Sequence, residues 1–221
     1  QQIRTLMQDA AYTSLGDLVT QAPNASRVLL RHGLDFCCGG NQTLAAACKA
    51  KGLRLERIVS ELQEVSGPPP PMDWHTAPLQ SIITHILKVY HAPLPEELSQ
   101  LESMAEKVLV THGLKDPIRL PKIRDQIGEL ARELQFHMEK EELVLFPWIA
   151  TRRYPPPGPP IGVMEAEHQQ AAQSLAQLRA LTDNFTPPEG ACMTWRNLYA
   201  RLESFDHTLR AHIHLENHVL F

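Results

Sequence analysis

The chain has 221 residues, a net charge of -4, 43% hydrophobic and 21% charged residues. That balance excludes disorder over the whole length and leaves no basic footprint for nucleic acid or an anionic membrane. No stretch approaches the roughly 18 uninterrupted apolar residues of a membrane span. Two counts stand out: 18 Pro, and 11 His against 3 Trp and 4 Tyr. Histidine is the commonest metal ligand and titrates near neutral pH, so the positions of these residues carry the functional question.

Residues 1–66 read as a small domain of short helices, with Leu44 to Ala50 and Leu55 to Val65 among them. Pro23 suits a first-turn position, and Gly33 suits the stop after Arg31-His32. The start, Gln1-Gln2-Ile3-Arg4, lacks the apolar core of a secretory leader. Cys37, Cys38 and Cys48 crowd into one segment and Cys192 stands apart, which is not a disulfide framework. A reducing, cytoplasmic compartment is expected, with Cys48 and Cys192 structural. The adjacent pair Cys37-Cys38 is followed by Gly39-Gly40. Glycine tolerates positive φ, so the backbone is expected to expose both thiols as a reactive pair.

A linker follows at 67–75, where Gly67-Pro68-Pro69-Pro70-Pro71 predicts a polyproline II spacer. Residues 76–221 then carry four helical segments, near 76–112, 121–152, 161–183 and 190–221. The prolines at 155–160 predict a loop, as do Thr186-Pro187-Pro188 and Lys115-Asp116-Pro117. Four long helices with short connections predict an all-α, antiparallel four-helix bundle behind a small helical domain.

The second segment has an apolar stripe of spacing three and four: Ile123, Ile127, Leu130, Leu134, His137, Glu141, Val144, Trp148. The fourth repeats it with Leu198, Leu202, Phe205, Leu209, His212, Glu216, Val219. Each contains one His-x-x-x-Glu pair in line with core residues. The third segment, Ile161, Met164, His168, Ala171, Leu175, Leu178, has one inward histidine. So has the first: Leu87, His91, Leu94, Leu98, Leu101, Ala105, Val108. His85 is a rival to His91, since Pro93 and Pro95 disturb the helix beside it. His91 is in phase with the longer stripe. His214 and His218 are out of phase and are expected to face the surface or a loop. His32, His75 and His207 have no functional reading.

Two carboxylates and four imidazoles in one apolar interior need a common counter-charge, and metal supplies it. Six ligands exceed one tetrahedral zinc, and the imidazoles disfavour calcium or magnesium. A pair of iron or manganese ions fits, each glutamate bridging both. Ferritin-like sites use Glu-x-x-His, which is not found here on an inward face.

Together, His91, His137-Met138-Glu139-Lys140-Glu141, Met164-Glu165-Ala166-Glu167-His168 and His212-Ile213-His214-Leu215-Glu216 resemble the hemerythrin-like domain of the di-iron proteins for repair of iron centres. Asp35-Phe36-Cys37-Cys38-Gly39-Gly40 and Asn41-Gln42-Thr43-Leu44 resemble the short domain that precedes it in that family. The resemblance covers about Leu15 to Phe221. It implies His91, His137, His168 and His212 as terminal ligands of two non-haem irons. Glu141 and Glu216 would bridge them, with an oxo or hydroxo group between. It also implies His112 and Glu167 as groups lining a channel to the irons, the other reading of His112 being a helix-terminal residue favoured by the dipole. The implied activity is repair of iron-sulfur clusters damaged by nitrosative or oxidative stress. Iron donation, with Cys37 and Cys38 passing it on, is one route and reduction of nitric oxide is another. A sensor or carrier of nitric oxide or dioxygen is the alternative. Clients would be damaged iron-sulfur proteins, and neither nucleic acid nor membrane is an expected partner.

Overall fold

A computed structural model describes residues 10–65, 70, 72–151 and 158–221. The N-terminal Gln1-Gln2-Ile3-Arg4, most of the 67–71 spacer and the first part of the 155–160 loop lie outside the described residues. Contacts divide the chain into two compact units: residues 1–82 with 210–221, and residues 83–209. The first therefore takes the last turns of the fourth bundle segment, which the expected boundaries at 66 and 76 do not foresee. Among the described residues there is no strand, only an isolated bridge between Ser14 and Thr43. No helix is long and apolar enough to cross a membrane.

The first unit holds α1 (Leu15–Gln21), α2 (Ala25–Arg31), α3 (Leu44–Ala50) and α4 (Leu55–Glu64). Side-chain caps start two of them: Ser14 Oγ accepts from Asp17 N–H, and Thr43 Oγ1 from Ala46 N–H. Gly33 ends α2 at φ 66°, while Leu34 N–H reaches Leu29 C=O and Gly33 N–H reaches Leu30 C=O. This double bond pattern needs a left-handed residue after the helix, which glycine supplies without a Cβ clash. Leu15, Leu29, Leu34, Phe36, Leu44, Ile58 and Leu62 are buried in this unit. Each contributes on the order of 1.5–3 kcal/mol by leaving water.

The second unit begins within α5 (Leu79–Ile86) and contains α6 (Leu94–His112), α7 (Arg119–Lys140), α8 (Phe146–Thr151) and α9 (Gly158–Leu181). Helix α10 (Met193–Leu215) crosses the division at residue 209. Cross-helix pairs show antiparallel packing, since numbers rise along one helix as they fall along the other. Examples are Glu106–Arg124 with His91–Glu142, Gln170–Glu133 with Glu167–His137, and Glu97–Arg201 with His112–Cys192. The core runs through Leu98, Leu101, Val108, Ile123, Ile127, Leu130, Leu175, Leu178, Leu198 and Leu202. The all-α bundle is as the periodicity predicts. The chain is already helical at Gly158, because proline is tolerated in a first turn and the loop ends sooner than the proline run suggests.

Three short π-helical turns interrupt the long helices: Leu87–His91, Glu141–Leu145 and Glu216–Leu220. Each closes with a bond spanning five residues, as from Ala92 N–H to Leu87 C=O and from Phe221 N–H to Glu216 C=O. The extra residue moves the inward phase. Ile86 and His91 are both buried, Leu145 and Phe146 take the core places expected for Val144 and Trp148, and Leu220 replaces Val219. Val144 is instead 56% exposed. Leu87 is likewise only half-buried. Pro93 caps α6 and Pro95 lies in its first turn, so neither breaks a helix interior.

Candidate metal centre

In the 83–209 unit, His91 closes one π turn, Glu141 opens another, and His137 and His168 project from α7 and α9. All four side chains are buried. π-Helical turns cost regular hydrogen bonding and recur at functional sites, so their coincidence with ligand positions is informative. Glu141 is the centre of this group. Its Oε1 lies 3.3 Å from His137 Nε2 and 4.0 Å from His168 Nε2, and its Oε2 lies 3.5 Å from His91 Nε2. Both oxygens are inaccessible to solvent and accept no hydrogen bond from the described residues. His137 and His168 bring their Nε2 atoms to 3.0 Å from each other.

The far sides of two rings are held by carboxylates. His91 Nδ1 lies 2.8 Å from Glu142 Oε1, and His137 Nδ1 lies 2.8 Å from Glu167 Oε2. A carboxylate can only accept there, so each Nδ1 donates its proton. The Nε2 lone pairs are left facing Glu141. This is the outer hydrogen bond that fixes a metal-binding imidazole in its ligand tautomer. Glu167 also pairs with Lys140. Burial raises the Glu167 pKa, but the bonds from Lys140 and His137 outweigh it and hold the carboxyl below its usual range.

One ligand atom each from His137, Glu141 and His168 falls within 4.8 Å of the others. Two imidazoles and a carboxylate, all buried, suit a divalent transition-metal ion such as iron. In the other unit, His212 and Glu216 pair at 2.9 Å between Nε2 and Oε1, on the last turn of α10 and the π turn after it.

The remaining expected residues are distributed otherwise. His85 is half-buried against Tyr90 and belongs to no ligand group. His112 ends α6, about 27 Å of helix from Leu94 at a 1.5 Å rise, so it lies at the opposite end of the bundle from His91 and does not share a channel wall with Glu167. Its Nε2 meets Cys192 Sγ at 3.2 Å and its ring packs on Trp195. Glu142 is one residue out of phase with the stripe, and its side chain is 45% exposed. Its only signal is adjacency to Glu141 at the π turn.

The thiols also depart from expectation. Cys37 is wholly buried and Cys38 only partly exposed. Neither Gly39 nor Gly40 has positive φ. Gly40 is required for close approach instead: a Cβ there would meet Phe36 O and His218 Nε2, both at 2.4 Å. The bond with Cys38, then burial and the nearby carboxylate of Asp35, push the Cys37 thiol well above its usual pKa, against Arg210. His214 and His218 are not surface residues. His214 is buried between Thr20 Oγ1 (3.0 Å) and Phe36 O (3.3 Å), and His218 Nε2 lies 3.1 Å from Cys37 O. Burial lowers the His214 pKa to about 4.

Comparison with known proteins divides the chain by sequence and keeps residues 210–221 with the bundle. Residues 82–221 match the hemerythrin HHE cation binding domain, and residues 11–66 match a domain of unknown function, DUF542 (ScdA_N). The chain is 42% identical over 209 residues to the iron-sulfur cluster repair protein YtfE of Yersinia pseudotuberculosis (strain PB1/+), covering 94% of each chain. The protein of that name from Yersinia pestis (strain Pestoides F) is similar to the same extent.

Proposed function

Since this chain belongs to the repair-of-iron-centres family of hemerythrin-domain proteins, we propose that it restores damaged iron-sulfur clusters by supplying iron from a non-haem di-iron site. His91, His137, Glu141, His168, His212 and Glu216 would hold the iron, the glutamates supplying the negative charge and the imidazoles the neutral donors. The observation that carries this reading is Glu141. A buried carboxylate with no hydrogen bond and three imidazole nitrogens 3.3–4.0 Å away lacks only a cation. Burying such a charge unpaired costs several kcal/mol, which a divalent ion offsets. When bound, iron supplies exchangeable ferrous ions and open positions for a small ligand such as nitric oxide or dioxygen.

The chain's own groups act around the ions. Glu142 and Glu167 hold the Nδ1 protons of His91 and His137, so both rings present bare Nε2. Phe146 packs on the His91 ring at 5.6 Å between centroids and helps to keep water from that ligand. The clients are proteins with damaged iron-sulfur clusters, and the compartment is the cytoplasm.

The test is an anaerobic repair assay. Iron-loaded protein is added to a cluster protein damaged by nitric oxide, and recovery of the client's activity is followed with the iron count of the donor. About two irons per chain and client recovery with matching iron loss are expected. Recovery without iron loss, accompanied by nitrous oxide, would replace donation by nitric oxide reduction at the same ions. Failure of the wild-type protein to retain iron would sink the reading.

A further inference from the structure

The first unit contains a second group of metal-ligating atoms, at the turn between α2 and α3. Asp35, Cys37 and Cys38 each offer one atom, all within 4.8 Å of one another. The two sulfurs are 3.8 Å apart, and Asp35 Oδ1 is 3.2 Å from Cys37 Sγ. Two thiolates about 2.3 Å from one ion at the tetrahedral angle would be ~3.8 Å apart. A carboxylate oxygen about 2.0 Å from the same ion would lie ~3.5 Å from either sulfur. The turn already holds its sulfurs at the spacing of a tetrahedral ion, and Asp35 Oδ1 within a few tenths of an ångström of the spacing from Cys37 Sγ.

The surroundings fit that use. Asp35 Oδ1 accepts from the backbone N–H groups of Cys37 (3.0 Å) and Cys38 (3.1 Å), which fixes the carboxylate against the turn. Two thiolates and a carboxylate around a divalent ion leave one net negative charge. Arg210, itself buried, places Nη1 3.7 Å from Cys37 Sγ and supplies the matching positive charge. From the same segment, Asn217 donates to Cys37 O at 3.0 Å and His218 approaches that oxygen. Cys38 is only partly buried, as is Asp35, and the two give the ion a way in.

We propose that Asp35, Cys37 and Cys38 form a three-donor site for a thiophilic divalent cation, with its fourth position open. Structural zinc sites close all four positions with protein ligands. Three donors and an accessible sulfur instead allow an ion to be passed on by ligand exchange. Uptake exchanges two thiol protons for the ion, forms two metal–sulfur bonds and one metal–oxygen bond, and changes no oxidation state. That the ion in transit is ferrous iron rests on the repair reading above. The existence of the site does not.

Cobalt(II) titration of the full-length, metal-free chain tests it. The expected result is a sulfur-to-cobalt charge-transfer band in the near ultraviolet that reaches the intensity of one two-thiolate site after the histidine centre has taken its own ions, with the visible bands of tetrahedral cobalt. Cys37→Ser and Cys38→Ser should each abolish the charge-transfer band, and Asp35→Asn should weaken binding roughly tenfold or more, since losing a ligand costs at least as much as losing the outer contacts that orient one. Cys48→Ser and Cys192→Ser should leave the band intact. Glu141→Ala disables the histidine centre and should also leave it, which separates failure of this site from failure of the repair reading. Far-ultraviolet circular dichroism verifies the fold of each variant, and partly exposed Cys38 is the substitution least able to disturb it. No charge-transfer band in the wild type, or a band that survives Cys38→Ser, would overturn the site and leave a thiol–thiol contact only. An unchanged affinity in Asp35→Asn would remove the carboxylate and with it the three-donor set.

Discussion

The histidine centre and the cysteine turn solve the same problem in opposite ways. Both gather ligand atoms of one sign in a place where water is scarce. At the histidine centre the donors come from separate long helices, and their order is that of a regular apolar stripe. At the turn the donors are neighbours in sequence, and the order comes from hydrogen bonds brought by a segment more than 170 residues away. Helices give rigidity over distance, while a turn gives closeness without it. The first arrangement is suited to keeping ions and the second to exchanging them.

The largest test of that contrast is to remove packing from each unit. Leu130→Ala in α7 should cost about 2–5 kcal/mol, and Phe36→Ala beside the cysteines about 3–5 kcal/mol, because each leaves a cavity among fully buried neighbours. Urea unfolding measures both. The two should differ in iron. His214, whose ring meets Phe36 edge-on, lies on the segment that carries His212 and Glu216. Phe36→Ala should therefore lower the iron count as well as stability, whereas Leu130→Ala lowers stability alone. Equal iron counts in the two variants would break the link between the cysteine turn and the last ligand pair.

Glu141→Gln comes next and should change sign with metal. Without metal the buried carboxylate is a liability, so the neutral amide should stabilise the chain by an amount on the order of 1–4 kcal/mol. With iron present the same substitution should lower both the iron count and the unfolding midpoint, since a ligand is lost. Chelator-treated and iron-loaded samples compared by thermal unfolding give both signs. A Glu141→Gln protein that is destabilised in both states would mean that the carboxylate has another partner.

The outer carboxylates should have smaller effects. Glu167→Gln is expected to weaken metal binding about 10–100-fold, by releasing the orientation of His137. Glu142→Gln should fall at the lower end of that range, because its carboxylate is more exposed and water can take its place at His91. Competition with a chromogenic chelator ranks them. A larger loss for Glu142→Gln would make His91 the better-positioned ligand.

These effects separate what the sequence exposes from what it hides. The bundle and its inward histidines are legible because a helical stripe leaves its period in the sequence: Ile123, Ile127, Leu130, Leu134 and His137 are all buried. The stripe fails at Val144, Trp148, Val219 and Leu87, each within a π turn or one turn of it, where an added residue shifts the phase. No propensity scale marks such a turn in advance, since the ligand requirement and the packing create it. The cysteine turn is legible only as composition. Asp35 is two residues from Cys37, but Arg210, His214, Asn217 and His218 reach it through tertiary folding. His214 and His218 are out of phase with His212 and Glu216, so the stripe assigns them to the surface or a loop without saying which loop they meet. His112 is the last residue of α6, and its partner Cys192 lies 80 residues away, outside any local pattern.

A pair that supplies no metal ligand gives the smallest effect. His32 Nε2 lies 2.7 Å from Glu61 Oε2, and Arg57 bonds the other oxygen at 3.1 Å. The His32 bond, joined by Arg57 and opposed by burial, holds the Glu61 carboxyl below its ordinary pKa. The folded state therefore binds the Glu61 proton less readily than the unfolded state. Stability from this pair is complete above the unfolded value near 4.5 and is lost as pH falls through the lower folded value. Glu61→Gln should lower stability modestly at neutral pH, where the pair's contribution is complete, and change nothing below the folded value, so that the acid limb becomes flatter. The cysteine and histidine groups should retain their metal in this variant. An acid limb as steep as that of the wild type would assign the pH sensitivity to a carboxylate elsewhere, and a fall in metal content would show that α4 supports the ligands through contacts other than this pair.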